Sequence, residues 1–225
     1  WDSQAFPDRA LLDATFPDQP VALERIDGHA LIVNGEALRR AGLLSGAVPV
    51  VEGGEVMLDA GGVPTGVLID NACGLVSSII PPHPEPRRLE ALMEAQANLL
   101  AHGIVGVTDA GLSPAEIERI DALQQAGALK LRVNALVSAS DDNIAWLVDS
   151  GRRIEDMLVV NGVKFYMDGA LGSRGALLRQ PYSDRTGWFG LATQREQEFK
   201  RQIETLHGHG LQAATHCIGD SATAL

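Results

Sequence analysis

The sequence predicts an α/β protein: part of a (β/α)8 TIM barrel preceded by an N-terminal α+β segment. Three observations carry that expectation. From Pro86 onward, apolar runs of strand length alternate with helical stretches in the order α-β-α-β-α-β-α-β-α. Such alternation implies parallel strands joined by right-handed crossovers. Several of these strands carry polar residues on one face, where a doubly wound sheet covered by helices would be apolar on both. The first hundred residues lack the alternation, and their prolines, glycine pairs and short β-rich runs read as a separate excursion.

The elements follow in order. Pro7, Pro17 and Pro20 punctuate the opening, Val21–Arg25 reads as a short strand, and Gly35–Ala41 reads as a short helix ended by Gly42. Val48–Val51, Val56–Leu58 and Val67–Ile69 are separated by Gly53-Gly54 and Gly61-Gly62, which predicts a small antiparallel sheet of two or three strands. Pro81-Pro82-His83-Pro84 is an extended connector. Leu89, Leu92, Met93, Gln96 and Leu99 fall at helical spacing, and Gly103 ends that helix. A strand over Ile104–Thr108 comes next. Ser113-Pro114-Ala115-Glu116 is a capping box with proline at the first helical position, and Ile117, Ile120 and Leu123 share one face behind it.

Leu131–Val137 is the next strand, Asp141–Asp149 a helix, Val159–Met167 a strand, Glu196–His207 a helix and Leu211–His216 a strand, with a further helix opening after Asp220. Side chains alternate along a strand. Val163, Phe165 and Met167 therefore oppose Lys164, Tyr166 and Asp168; Val133 and Ala135 oppose Arg132 and Asn134; Ala213 and Thr215 oppose Gln212, Ala214 and His216. The division expected is residues 1–100 as an insertion with a small antiparallel sheet, and residues 101–225 as the barrel part.

Charge and composition exclude several classes of function. The 225 residues hold 18 Lys+Arg and 29 Asp+Glu, a net charge of −11. That balance argues against a nucleic-acid binder, which needs cations on the phosphates, and against a surface held to anionic lipid. No apolar run approaches the roughly 20 residues of a membrane-spanning helix. Cys73 and Cys217 are too few for a disulfide framework or a structural zinc. The chain opens at Trp1 without Met and stops at Leu225, which reads as a piece of a longer protein. A cytoplasmic location is the expectation, with any targeting segment lying upstream. The partners expected are a small-molecule substrate and a second copy in a homo-oligomer, with no nucleic acid and no membrane.

Lys164 and His216 are the sharpest candidates, each near the C-terminal end of a predicted parallel strand, where barrel enzymes carry their chemistry. An ammonium inside Val-Lys-Phe-Tyr-Met is costly to bury unless it is paired or loses its charge. Lys164 reads as a Schiff-base nucleophile, a general base or a carbamylated metal ligand, against a plain ion pair with Asp168 or Asp109. His216 reads as a divalent-metal ligand or as a satisfied core histidine. The loop Asp168-Gly-Ala-Leu-Gly-Ser-Arg174-Gly has glycines that permit close backbone approach, and Arg174 suits a carboxylate or an oxyanion. Asp27-Gly28-His29 either lines a site or makes a turn.

Together these segments resemble the amidohydrolase superfamily, in particular the amidohydrolase-3 branch that includes enzymes like N-substituted formamide deformylase. The residues that carry the resemblance are Arg25-Ile-Asp-Gly-His-Ala30, Pro64-Thr-Gly-Val-Leu-Ile-Asp70, Gly103-Ile-Val-Gly-Val-Thr-Asp-Ala-Gly111, Gly162-Val-Lys-Phe-Tyr-Met-Asp-Gly-Ala-Leu-Gly-Ser-Arg174 and His216-Cys-Ile-Gly-Asp220. The resemblance implies a barrel with a metal site at its C-terminal mouth. Ile104–Thr108 would be its second strand, Leu131–Val137 the third, Val159–Met167 the fourth and Leu211–His216 the fifth. It implies that Lys164 and His216 are catalytic metal ligands for one or two divalent ions, with zinc expected; Arg174, Asp168 and His29 are the candidates for touching substrate. The family's first-strand His-x-His, sixth-strand His and eighth-strand Asp have no counterpart in these residues; His207-Gly-His209 lies at the wrong end of its strand.

The reading is the central part of a metal-dependent amidohydrolase that cleaves non-peptide C–N bonds with activated water, the fragment alone being inactive. The rivals are a Schiff-base lyase using Lys164 and a non-catalytic binding barrel.

Overall fold

A computed structural model describes residues 5–225. The chain divides into two units, one made of residues 1–81, 166–195 and 217–225, the other of residues 82–165 and 196–216. The boundary therefore falls elsewhere than residue 100. The long segment after the Lys164 strand joins the N-terminal sheet, because its side chains are tied there. Arg185 pairs with Glu55 at 2.6 Å, and Asn71 donates to the Thr193 carbonyl at 2.9 Å.

The first unit opens with α1 (Ala10–Thr15), β1 (Ala22–Glu24), β2 (Ala30–Val33), α2 (Gly35–Arg40), β3 (Gly54–Leu58), β4 (Pro64–Asp70) and α3 (Gly74–Ser77). Its sheet is antiparallel in the order β1-β2-β4-β3, four strands where two or three were expected. Val48–Val51 is irregular, and β2 takes the place that run was given. Local pattern missed β2 because it is an apolar run of only four residues that meets α2 directly through Asn34. Asn34 is fully buried. Its side-chain oxygen accepts from Ala37 and Val21, and its amide donates to the carbonyls of Phe16 and Gln19. Leu31, Val33, Leu38, Leu68 and Val76 form the core on one face of the sheet.

The second unit runs α4 (Glu85–Ala101), β5 (Gly106–Leu112), α5 (Pro114–Gln125), β6 (Arg132–Ser138), α6 (Asp141–Ser150), β7 (Arg153–Ile154), β8 (Leu158–Tyr166), α7 (Glu196–Gly208) and β9 (Gln212–His216); the last residue of β8, Tyr166, counts with the first unit. β5, β6 and β8 are parallel neighbours, β7 is a short antiparallel partner at the start of β8, and β9 pairs with β8. The capping box at Ser113 forms as expected. The segment after Asp220 makes a single 3-10 turn, Ala222–Ala224, in place of the helix expected there. No helix among the described residues is long and apolar enough to cross a membrane.

The core of this unit lies on the helix-facing side of the sheet, where Ile117, Val133, Ala135, Leu147, Val160, Val163 and Phe165 are buried together. The register sets which β8 side chains join it. Ala135 faces Val160, but the next β6 residue, Leu136, faces Gly162. Asn161 is thus one extra residue in β8, a β-bulge. Leu158 and Val160 before it, and Val163 and Phe165 after it, all point to the helices. Without the bulge Lys164 would keep the parity of Val160 and enter the apolar core; with it, Lys164 faces the other side.

Candidate active site

Lys164 and His216 lie on paired strands of the second unit. At the start of β9, a Cβ on Gly162 would overlap the Gln212 carbonyl. Beyond the ends of the same strands, Asp168 accepts hydrogen bonds from the backbone of Ile218 and Gly219 at 2.9 and 2.7 Å. The strands are therefore close at corresponding points six residues apart, and so run in the same direction. That register puts Lys164 level with Ala214, and puts Lys164 and His216 on the same face one diagonal apart. Both are partly buried. Asp109 is in register with Ala135 on the helix-facing side, so it does not share the face of Lys164 and is no candidate for its ion-pair partner.

The first unit gathers a second set of polar residues. His29 is buried, and its Nδ1 stands 2.8 Å from Asp70 Oδ1, with the Asp70 side chain only 1% exposed. The Asp70 backbone has φ 48°, an unusual conformation for a residue with a side chain. It turns the carboxylate onto the loop after β8, where a Cβ at either Gly169 or Gly175 would overlap Asp70 Oδ2. Oδ2 is buried and has no hydrogen-bond donor. Burial pushes the Asp70 carboxyl above the ordinary carboxylate range, and the bond to His29 opposes that shift without cancelling it. The Tyr166 ring meets His29 edge-on with centroids 6.0 Å apart.

Asp168, expected to touch substrate, is fully buried and accepts from the backbone N–H groups of Leu177, Ile218 and Gly219. It clamps the loop after β8 to the segment after β9. Arg174 has a left-handed backbone, donates to the Gly172 carbonyl, and pairs with Asp184. Its guanidinium lies 4.7 Å from the centre of the Phe6 ring. The charge Arg174 was expected to offer a ligand is already matched by this carboxylate, whose own pKa that bond lowers. Arg174 and Arg25 border an open cleft of about 670 Å³ whose walls include Leu23, Ile32 and Val67. Arg25 is held by both oxygens of Asp27 at 2.7 Å.

Asp70 is the residue that sequence reasoning passed over. It closes the Pro64–Asp70 segment, and an acidic residue at the end of a strand reads as a turn. The available signal was the pair Gly169 and Gly175, whose missing side chains leave room for something.

The model of a family described as the amidohydrolase family matches residues 1–225. The chain belongs to the amidohydrolase family. It is 33% identical over 220 residues to the amidohydrolase YtcJ of Bacillus subtilis (strain 168), a match covering 94% of this chain and 40% of that protein. It is 29% identical over 153 residues to the N-substituted formamide deformylase of Arthrobacter pascens, covering 66% of this chain and 28% of that protein. Among solved structures, an uncharacterized metal-dependent hydrolase from Pyrococcus horikoshii OT3 superposes with a TM-score of 0.67 at 26% identity, covering 97% of this chain and 43% of that one. The chain thus spans about two fifths or less of the length of these amidohydrolase-family relatives and hydrolase neighbours.

Metal-dependent hydrolase neighbours imply a divalent metal for the family. His216 and Lys164 suit such an ion by type, as an imidazole and a lysine that carbamylation would turn into a carboxylate-like donor, and by their shared face. They fall short in number, since no group of three or more His, Cys, Asp or Glu suited to a metal occurs among the described residues. These residues supply part of a ligand set.

Proposed function

We propose that this chain is the central part of a metal-dependent amidohydrolase acting on a small molecule with a non-peptide C–N amide-type bond. The observation that carries the reading is the shared face of Lys164 and His216 on paired β8 and β9, in a chain that matches the family along its whole length. In this reading β5, β6, β8 and β9 are the second to fifth strands of a (β/α)8 barrel, and the face of Lys164 is its interior. Zinc is the ion proposed, held by His216 and carbamylated Lys164 together with ligands from outside these residues. When bound, such an ion supplies Lewis-acid polarisation and makes water more acidic.

This chain's own residues do the rest of the work assigned to it. The Asn161 bulge keeps Lys164 out of the apolar core and turned toward His216's face. Asp168 holds the loop after β8 in one conformation through three backbone donors. His29 is proposed to contact substrate. Arg174 is proposed to shape the loop through Asp184, with any substrate contact secondary to that.

The test is metal content and turnover of N-substituted formamides by the full-length protein that contains this chain, with Lys164→Met and His216→Asn as variants. Loss of stoichiometric zinc in both variants, with loss of turnover, supports the reading. Trapping of Lys164 by borohydride in the presence of a carbonyl substrate would replace it with a Schiff-base lyase. Retention of full zinc in both variants would remove the metal assignment.

A further inference from the structure

We propose that Asp70 is a positioning residue for His29, holding the imidazole with its hydrogen on Nδ1 so that Nε2 is the accepting nitrogen. The inference rests on the reading of His29 as a substrate-contacting residue. It starts from three features that have no purpose in a simple turn. Asp70 adopts a strained backbone, with φ 48°. Its carboxylate is buried rather than solvated, with the side chain 1% exposed. Two glycines, Gly169 and Gly175, leave a slot that an added Cβ at either would close. A backbone in such a region is strained and persists where surrounding contacts over-determine it.

What the strain achieves is one directed bond, 2.8 Å from Asp70 Oδ1 to His29 Nδ1. An ionised carboxylate can only accept, so in that bond Nδ1 carries the hydrogen. A neutral imidazole then has its lone pair on Nε2, which sets what the ring can offer. Partners of this kind fix the tautomer and orientation of functional histidines; beside metal-ligating histidines, losing one costs about 10- to 100-fold in activity or affinity.

The second oxygen makes the inference testable. Asp70 Oδ2 is buried without a donor and faces the two glycines. Asp70→Asn replaces a group that only accepts with an amide whose nitrogen can donate to Nδ1, which forces the hydrogen onto Nε2. One isosteric change should thus reverse the tautomer with little change of shape.

The experiment is long-range proton–nitrogen NMR on the purified protein labelled with nitrogen-15 histidine. The His29 signals are identified by their loss in His29→Gln among the six histidines. The wild type should show Nδ1 protonated, and Asp70→Asn should show Nε2 protonated and Nδ1 bare. Gly169→Ala keeps Asp70 but pushes its carboxylate from the slot; it should abolish the Nδ1 preference, and it serves if the asparagine variant does not fold. A wild-type His29 with a bare Nδ1 overturns the proposal. So does an unchanged tautomer in every folded variant. Where turnover is measurable, kcat should fall about 10- to 100-fold in Asp70→Asn with KM nearly unchanged. A reversed tautomer with unchanged kcat overturns the positioning role. Since the NMR arm needs no substrate, it stays readable if the hydrolase reading fails, and that failure shows separately, as full zinc retention in Lys164→Met and His216→Asn.

Discussion

Asp168 shows what one buried charge does when the backbone receives it. Its two oxygens accept the N–H groups of Leu177, Ile218 and Gly219, which come from two separate chain segments. A buried carboxylate is tolerated because three donors replace its water. Removing it strands those donors. We expect Asp168→Ala to lower stability by about 3 to 5 kcal/mol, read by urea unfolding. A loss below about 1 kcal/mol would mean that water or a rearranged loop satisfies the donors and that the clamp is not structural. Asp70 is the contrasting case, since its carboxylate gains one bond and leaves one oxygen without a donor. Stability can explain Asp168, but it explains Asp70 poorly.

At the scale of single elements, α5 and β8 carry separate predictions. The Ser113 hydroxyl accepts from Glu116 N–H, and Glu116 accepts from both the Ser113 backbone and its hydroxyl. Burial raises the Glu116 pKa, but the Ser113 bonds outweigh it and leave the group below the ordinary range. A depressed folded-state pKa means the stabilisation is present above the unfolded pKa and lost as pH falls through the folded one. Ser113→Ala should therefore cost about 1 kcal/mol at neutral pH. That cost should shrink in acid, as read by paired unfolding curves at the two pH values; a constant difference would show that the carboxylate takes no part.

The β8 prediction concerns parity. Asn161 has no partner on β6, so deleting it lets Gly162 follow Val160 directly and leaves Lys164 on its own face. Inserting one alanine between Gly162 and Val163 would instead give Lys164 the face of Leu158 and Val160 and turn Val163 and Phe165 away from the core. An ammonium would enter the core and a buried aromatic would leave it, at a cost of at least about 3 kcal/mol. The deletion should be far milder than the insertion in thermal unfolding. If the insertion melts within a few degrees of wild type, strand parity does not aim Lys164.

For the whole molecule, the sheet of the second unit ends at β5, whose only neighbour is β6 among the described residues. Thr108, Asp109 and Ala110 on it are exposed. An open strand edge is a template for pairing with another chain. The net charge of −11 slows association without satisfying that edge. We expect these 225 residues, expressed alone, to self-associate at micromolar concentration in light scattering. A monodisperse, reversibly folding monomer would argue against the open-barrel reading.

The sequence by itself determined the alternation of helices and strands from Pro86 to His216, short β7 apart, together with the capping box and the two residues on which the metal proposal rests. Those are short-range facts: a 3.6-residue period, a Ser-x-x-Glu spacing, and a lysine or histidine in an apolar run can each be read within about a dozen residues. The family match agrees with the motifs that carried the resemblance. Only the tertiary structure decided the rest. It drew residues 166–195 into the first unit, because Glu55 and Asn71 supply their partners from more than a hundred residues away. It put Leu158 and Val160 on the same face as Val163 and Phe165 through one extra residue that alternation alone cannot register, since a bulge is defined by the partner strand. It joined His29, Asp70 and the Gly169–Gly175 slot into one arrangement, because a buried carboxylate is recognised by what surrounds it in space, and those three segments are far apart along the chain.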